Sequence, residues 1–349
     1  MILYIKVFII ALLSSLFFTP LAKKVAIKIG ATDKPDERKI HKKEMPRLGG
    51  LAIFASFCLT SIFIFNHLEN HIRGLVIGAF VIFICGVIDD IKPLSYKSKL
   101  LFQSLAVICL ITNGVYIKNI SFLTEGYNIG YLSIPFTFIW IIGITNAINL
   151  LDGIDGLACG VSGISSIFLT IIAVNNNNIP MAIIMTILSG SCFGFLPYNF
   201  KNAKIFMGDS GSLFLGFMLA AVSMQGTFKS ATTFIIAPTI LLGLPIYDTL
   251  NVIVRRKIKG VSIMKPDKEH FHHRLLAIGL SSTKITLIGY LFTTFLGIIS
   301  LTIMASPKFT TLILLLGSFI ILGCIVLENI LYFKCKHNIK IRSIENEEN

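Results

Sequence analysis

Charge is what this sequence has least of. Only 14% of its 349 residues are Asp, Glu, Lys or Arg, where a soluble chain carries about 25%. That shortfall excludes an ordinary cytosolic globule, a disordered chain and a coiled coil. Cysteine is also sparse: Cys58, Cys85, Cys109, Cys159, Cys192, Cys324 and Cys335 form an odd set with no CxxC spacing. A secreted disulfide scaffold is therefore excluded, and most of these cysteines sit in apolar runs as small buried hydrophobes. No repeat of 20–50 residues is visible, and nothing marks off a separate soluble domain.

What fills the chain is apolar: 54% of it is hydrophobic and the mean hydropathy is +0.80. That supplies about nine to eleven segments of roughly 20 residues, each long enough to cross a bilayer. The runs fall at 2–22, 48–66, 73–90, 99–117, 133–151, 156–174, 181–199, 211–228, 232–254, 284–305 and 309–333. We expect an all-α integral membrane protein, a polytopic bundle of about eleven transmembrane helices. Residues 1–333 form one transmembrane domain, and 334–349, ending in "ENEEN", form a disordered cytoplasmic tail. The first run has only Lys6 upstream and is followed by Lys23 and Lys24, so it reads as a retained span rather than a cleaved signal.

The net charge of +13 belongs to loops meeting anionic lipid rather than to nucleic acid. With the N-terminus outside, the inner segments 23–47, 91–99, 152–156, 200–210, 255–284 and 334–349 hold 26 Lys and Arg. The outer segments hold four: Arg73, Lys118, Lys229 and Lys308. That imbalance places the C-terminus in the cytoplasm, and with it the polar clusters on one face.

Acidic residues number only 18, so their positions carry information. Asp89 and Asp90 end the third span in "GVIDDIKPLSYKSK", at a helix C-terminus where the macrodipole disfavours negative charge; the bland alternative is a solvated helix end. The fifth span closes in "TNAINLLDGIDGLACG", where Asn146, Asn149 and Asp152 share a stripe and Asp155 follows Gly153. Such oxygens are costly in an apolar helix unless partners or a cation satisfy them; otherwise the segment is a turn in which Asp caps the next helix. In "PYNFKNAKIFMGDSGSLFLGF" Asp209 precedes an apolar run, as an N-cap does. A helix N-terminus beside Gly also suits phosphate, and an Asp there suits a hard cation. Asn199 and Phe206 add an amide and an aromatic face. His270, His272 and His273, three of the seven histidines, lie in a segment with Arg255, Arg256, Lys265 and Lys268. No Cys is near to complete a zinc site, so the tract reads as an anion clamp that exchanges protons, or as a solvated basic loop.

Together these groups are what phosphoryl transfer needs: carboxylates for a metal, cations for phosphate and a helix N-terminus. A lipid or ion transporter, the alternative from another class, would put its ionisable residues near the membrane midplane.

The motifs "DKPDERKIHKKEMPRLGG", "GVIDD", "NAINLLDGIDGLA", "FMGDSGSLFLG" and "PDKEHFHHRL" resemble, in content and order, those of the polyprenyl-phosphate N-acetylhexosamine-1-phosphate transferases. The likeness is greater to the branch using UDP-N-acetylglucosamine than to the MurNAc-pentapeptide transferases. The resemblance implies an enzyme of the bacterial plasma membrane with its active site in the cytoplasm. Its partners would be a UDP-sugar donor, undecaprenyl phosphate as acceptor and membrane lipid, with a homodimer an open alternative. It also implies Mg²⁺, with Mn²⁺ able to substitute. Carried over by motif, Asp89 and Asp90 are the catalytic pair facing the lipid phosphate, and Asn149 and Asp209 hold the metal. Lys99 contacts phosphate. Asp152, Asp155, Asn199 and Phe206 contact the nucleotide, and His270, His272 and His273 the sugar and diphosphate. The implied reaction transfers N-acetylglucosamine 1-phosphate from UDP-N-acetylglucosamine to undecaprenyl phosphate and releases UMP; another UDP-N-acetylhexosamine is the alternative donor.

Overall fold

The computed structural model describes residues 1–33, 44–65, 69–117, 119–121, 126–225, 236–258, 260 and 270–305. Its α-helices are α1 (Ile2–Ile29), α2 (Gly50–Ile64), α3 (Asn70–Ile91), α4 (Tyr96–Thr112), α5 (Ser133–Leu151), α6 (Leu157–Asn175), α7 (Ile179–Asn199) and α8 (Gly208–Gln225). They continue with α9 (Ile236–Leu241), α10 (Gly243–Ile258), α11 (Phe271–Ala277) and α12 (Ser282–Ala305). Two antiparallel ribbons are the only strands among the described residues. β1 (Thr32–Asp33) pairs with β2 (Met45–Pro46), and β3 (Asn119–Ser121) with β4 (Gly126–Asn128). Six helical segments, Ile2–Ile29, His71–Ile91, Gly130–Leu151, Leu157–Asn175, Ile179–Asn199 and Ser282–Met304, are long and apolar enough to cross a membrane. The chain is an all-α membrane protein.

Helix α1 hides its small residues and presents its large apolar ones outward, as lipid permits. On α1 the buried face is Val7, Ala11, Ser15, Thr19, Ala22 and Ala26, while Ile9, Leu13 and Phe17 are exposed. That small-residue face lies on α7, where Gly190 and Gly194 let the α1 backbone approach at Phe8 and Leu12. Ser56 of α2 donates to the Ala11 carbonyl at 2.7 Å. Several hydroxyls within the spans turn back onto their own helix, as Thr145 does to Ile141 and Thr186 to Ala182, which satisfies them where no water is at hand.

The centre of the bundle is α8. Every residue from Gly208 to Met224 is buried, with α2, α3, α5, α6 and α7 packed around it. Phe214 meets Phe54 and Phe57 edge-on at centroid separations of 5.2 and 5.5 Å. The N-terminus of α8 therefore opens at one end of the bundle, surrounded by the ends of its neighbours.

Two expectations are modified. The run 232–254 is not one helix: α9 ends at Leu241 and α10 begins at Gly243. Pro245 has no N–H to offer the Leu241 carbonyl, and its ring would crowd that group in a continuous helix. Helix α10 also runs on to Ile258, so Arg255, Arg256 and Lys257 form its last turn rather than a loop. The run 309–333 and the tail 334–349 lie outside the described residues.

Candidate active site

Helices α3 and α8 touch where Gly86 meets the backbone of Asp209 and Ser210, an approach any Cβ would block. This contact brings the acidic end of α3 to the start of α8. Asp90 accepts the Asp209 N–H at 2.8 Å and the Ser210 N–H at 3.0 Å, so it caps α8 from a neighbouring helix. The positive end of the α8 dipole stabilises that carboxylate, and the dipole of α3 alone would not. Gly208, at φ 73, turns the chain into α8, and a side chain there would collide with the Asp90 carboxylate. Asp209 sits in the first turn of α8 rather than capping it.

The carboxylates of Asp89, Asp90 and Asp209 share two cations. Asp89 accepts the Leu94 N–H at 2.7 Å, which fixes the turn after α3, and its other oxygen lies 2.9 Å from Lys99 Nζ. Lys99, in the first turn of α4, also donates to Asp209 at 2.5 Å. Arg47 reaches Asp209 with Nη2 at 2.6 Å and Asp90 with Nε at 3.2 Å. Its backbone is held between the residues that follow α1 and those that precede α8: Arg47 N–H donates to Ala31, Phe206 N–H to Pro46, and Arg47 and Phe206 form an isolated bridge. Burial by itself would lower the Arg47 pKa, but Asp209, Asp90 and Asp89 outweigh it and keep the guanidinium above its ordinary value. Arg47 was not among the residues expected from sequence. It lay in plain view in "EMPRLGG", but its partner Asp209 is 162 residues away.

The end of α5 supplies the adjoining wall. Asn149 donates to Ser212 Oγ at 2.8 Å, tying α5 to α8. Asn146, on the same stripe, instead forms a reciprocal amide pair with Gln103 at 3.1 and 3.0 Å and serves packing. Asp152 ends α5; burial pushes its pKa well above the usual carboxylate range, Arg47 opposes this, and Asp209 and Asp90 add to it. Asp155 accepts the Ala203 N–H at 3.0 Å. Asn199 accepts the Gly156 N–H at 3.0 Å and donates to the Ile205 carbonyl at 3.1 Å. Asp155 and Asn199 thus stitch the 152–156 turn to the 200–205 loop.

Between these walls lies an open cavity of about 1130 Å³, lined by Asn149, Asp152, Asp155, Asn199, Phe206 and Asp209, with Arg47 and His273. Seven of the twelve residues expected from sequence line it. Asp89, Asp90 and Lys99 stand behind Asp209 and reach the cavity through their ion pairs. The histidines divide. His273 lines the cavity, whereas His270 and His272 are 6% and 1% exposed and do not. Burial, with His273 beside it, pushes the His272 pKa down to about 3. His270 Nδ1 lies 2.9 Å from Asp248, a second residue that sequence reading passed over as part of an apolar run.

The arrangement can hold a polyanion against Arg47 and the α8 N-terminus while presenting oxygen ligands from Asn149 and Asp209. Among the described residues no three acidic, His or Cys side chains converge as a self-sufficient metal cage. Asn149 and Asp209, which both line the cavity, offer the oxygen donors Mg²⁺ takes, since that ion keeps waters and draws the rest of its shell from substrate phosphates.

The sequence signature described as Glycosyl transferase family 4 matches residues 72–227, the stretch from α3 through α8. The "Probable undecaprenyl-phosphate N-acetylglucosaminyl 1-phosphate transferase" of Bacillus subtilis is 44% identical over 294 residues, 83% of this chain and 82% of its own length. The "Decaprenyl-phosphate N-acetylglucosaminephosphotransferase" of Mycobacterium tuberculosis (strain H37Rv) is 35% identical over 88% of this chain and 84% of its own. The "Undecaprenyl-phosphate alpha-N-acetylglucosaminyl 1-phosphate transferase" of Yersinia pestis is 29% identical over 89% of this chain and 88% of its own. With its acidic cluster gathered at the head of a buried central helix, and with relatives that align along most of its length, the chain belongs to glycosyl transferase family 4.

Proposed function

We propose that this protein transfers N-acetylglucosamine 1-phosphate from UDP-N-acetylglucosamine to undecaprenyl phosphate, starting a lipid-linked cell-envelope glycan. An oxygen of the lipid phosphate bonds to the sugar-bearing phosphorus, the bridge to the nucleoside phosphate breaks, and UMP leaves. One observation carries the reading: three carboxylates and two cations meet at the α8 N-terminus, beside a polar cavity of about 1130 Å³. That volume accommodates a nucleotide sugar. The names of the relatives from Bacillus subtilis and Mycobacterium tuberculosis support the same donor sugar and a polyprenyl phosphate acceptor.

The roles divide by position. Asp89 and Lys99 lie at the ends of apolar helices, where an acceptor held by its own lipid tail presents its phosphate at head-group depth. Lys99 neutralises that phosphate while Asp89 orients it or takes its last proton. The cavity takes the donor: Arg47 and His273 meet its diphosphate, and Asp152, Asp155, Asn199 and Phe206 surround its nucleotide. Asp209 and Asn149 are the residues that would hold Mg²⁺, and the ion would supply positive charge against the donor diphosphate. Asp90 contributes by fixing the head of α8.

The charge distribution supports eleven spans with the N-terminus outside, the C-terminus inside and this site facing the cytoplasm of a bacterial plasma membrane. Clustering at one end of the bundle favours an enzyme over a transporter, whose ionisable groups belong nearer the midplane. Purified protein given UDP-N-acetylglucosamine labelled in the sugar and undecaprenyl phosphate should move label into the lipid phase and release UMP in equal amount. Release of UDP instead of UMP, or no Mg²⁺ requirement, would contradict this assignment.

A further inference from the structure

Asp248 is an acidic residue the proposed reaction does not use, yet it is 2% exposed on α10. Its two oxygens are both engaged with the start of α11. One lies 2.9 Å from His270 Nδ1, and the other accepts the Phe271 N–H at 2.7 Å. A helix of seven residues does not hold itself together, and its first N–H groups need acceptors from elsewhere. Asp248 supplies one such acceptor from another helix.

What α11 carries explains why its placement matters. From Asp248 inward the imidazoles stand in series. His270 and His272 lie parallel at 4° with centroids 5.9 Å apart, and His272 and His273 lie 4.3 Å apart. His272 is buried with neither ring nitrogen hydrogen-bonded among the described residues. Its ring rests on Gly153 so closely that no Cβ could stand there. Gly153 and His273 both line the cavity. Among the described residues no hydrogen bond holds His272 in place, so packing against Gly153 and the anchor at His270 set its position.

We propose that Asp248 is a positioning residue for the donor half of the site: through His270 and the α11 backbone it holds the histidine series against the 152–156 turn and keeps His273 at the cavity wall. Asp248 is not a cavity residue itself and touches no substrate. The inference rests on reading the cavity as the donor's, and it goes further by naming the buried group that shapes it.

The test uses the full-length protein and four variants: Asp248→Ala, Asp248→Asn, His270→Ala and the double Asp248→Ala/His270→Ala. The KM for UDP-N-acetylglucosamine and for undecaprenyl phosphate is measured separately, with calorimetric binding of UDP alongside. Loss of hydrogen bonds to a buried carboxylate should raise the donor KM about tenfold or more in Asp248→Ala, weaken UDP binding in parallel, and leave the acceptor KM unchanged. His270→Ala should do the same, and the double variant should be no worse than either single one, because both break one linkage. Asp248→Asn keeps an oxygen for the Phe271 N–H and pairs with the other imidazole tautomer, so it should recover most of the loss. If Asp248→Ala does not insert, the comparison of His270→Ala with Asp248→Asn carries the test, with a donor-selective loss that is larger in the former. Equal rises in both KM values, additive losses in the double variant, or unchanged donor KM and UDP binding would overturn the inference. Absence of turnover in the native protein would instead count against the proposed reaction, with UDP binding still deciding the role of Asp248.

Discussion

Asp89 and Asp90 are adjacent carboxylates with different surroundings, and that difference makes a sharp prediction. Asp90 accepts two backbone N–H groups of α8 and lies 3.2 Å from Arg47. Asn at this position keeps one acceptor oxygen and turns an amide N–H₂ toward the other backbone donor. A hydrogen bond to a buried charged group contributes about 1.5–3 kcal/mol, so Asp90→Asn should cost about 2 kcal/mol, roughly a thirtyfold change in the folded-to-unfolded ratio. Asp89 differs. In Asp89→Asn the amide oxygen can still accept the Leu94 N–H, and Lys99 retains Asp209. With an acceptor kept for the Leu94 N–H and a carboxylate kept for Lys99, its cost should be smaller than that of Asp90→Asn. Heating each detergent-purified variant and following the monodisperse fraction by size exclusion reads the difference. Activity should divide the other way round from stability: Asp89→Asn should depress kcat with little change in the donor KM, because it acts on the lipid phosphate. Equal heat sensitivity of the two variants, or a stable Asp90→Asn, would refute the assignment of Asp90 as the cap of α8. An Asp89→Asn protein with full turnover and only a raised donor KM would refute the role of Asp89.

Other consequences follow from single features. Asp209→Asn and Asn149→Ala should insert normally but lose Mg²⁺-dependent turnover by about a hundredfold or more; a variant with native Mg²⁺ dependence contradicts the metal assignment. The folded protein holds His272 near a pKa of about 3, whereas the unfolded chain protonates it below about 6.5. The unfolded state then binds the extra proton, so stability should fall as pH drops below 6.5, by about 2 kcal/mol at pH 5. His272→Gln should flatten that slope, and an unchanged slope would remove His272 as its source. Single cysteines introduced at Lys43 and Lys268 should react with an impermeant thiol reagent only after cells are permeabilised; labelling of intact cells at both would invert the topology.

The helices were legible in the sequence because lipid demands apolar runs of a fixed length, and those runs follow α2 through α8 and α12 closely. The break between α9 and α10 was not read from the run, although Pro245 marks it, because hydropathy does not distinguish a kinked segment from a straight one. The site was legible in its residue types and less so in its pairings. Asp209 looked like its own N-cap, yet the cap is Asp90, 119 residues earlier, and no local pattern reveals a partner at that separation. Arg47 and Asp248 were overlooked for opposite reasons. Arg47 sat among many loop cations and Asp248 within a hydrophobic run, and each acquires meaning only from the carboxylate or imidazole that the fold sets beside it. The histidine tract read as one cluster, but helical geometry sends only His273 to the cavity.

The central claim is that the acidic cluster at the head of α8 catalyses transfer of a phosphosugar rather than of a bare sugar or a whole lipid. Donor labelled with ³²P in the phosphate next to the sugar separates these most directly. The account predicts that this phosphate enters the undecaprenyl lipid together with N-acetylglucosamine, and that the released nucleotide is unlabelled UMP. Label recovered as UDP, with an unlabelled lipid product, would contradict it.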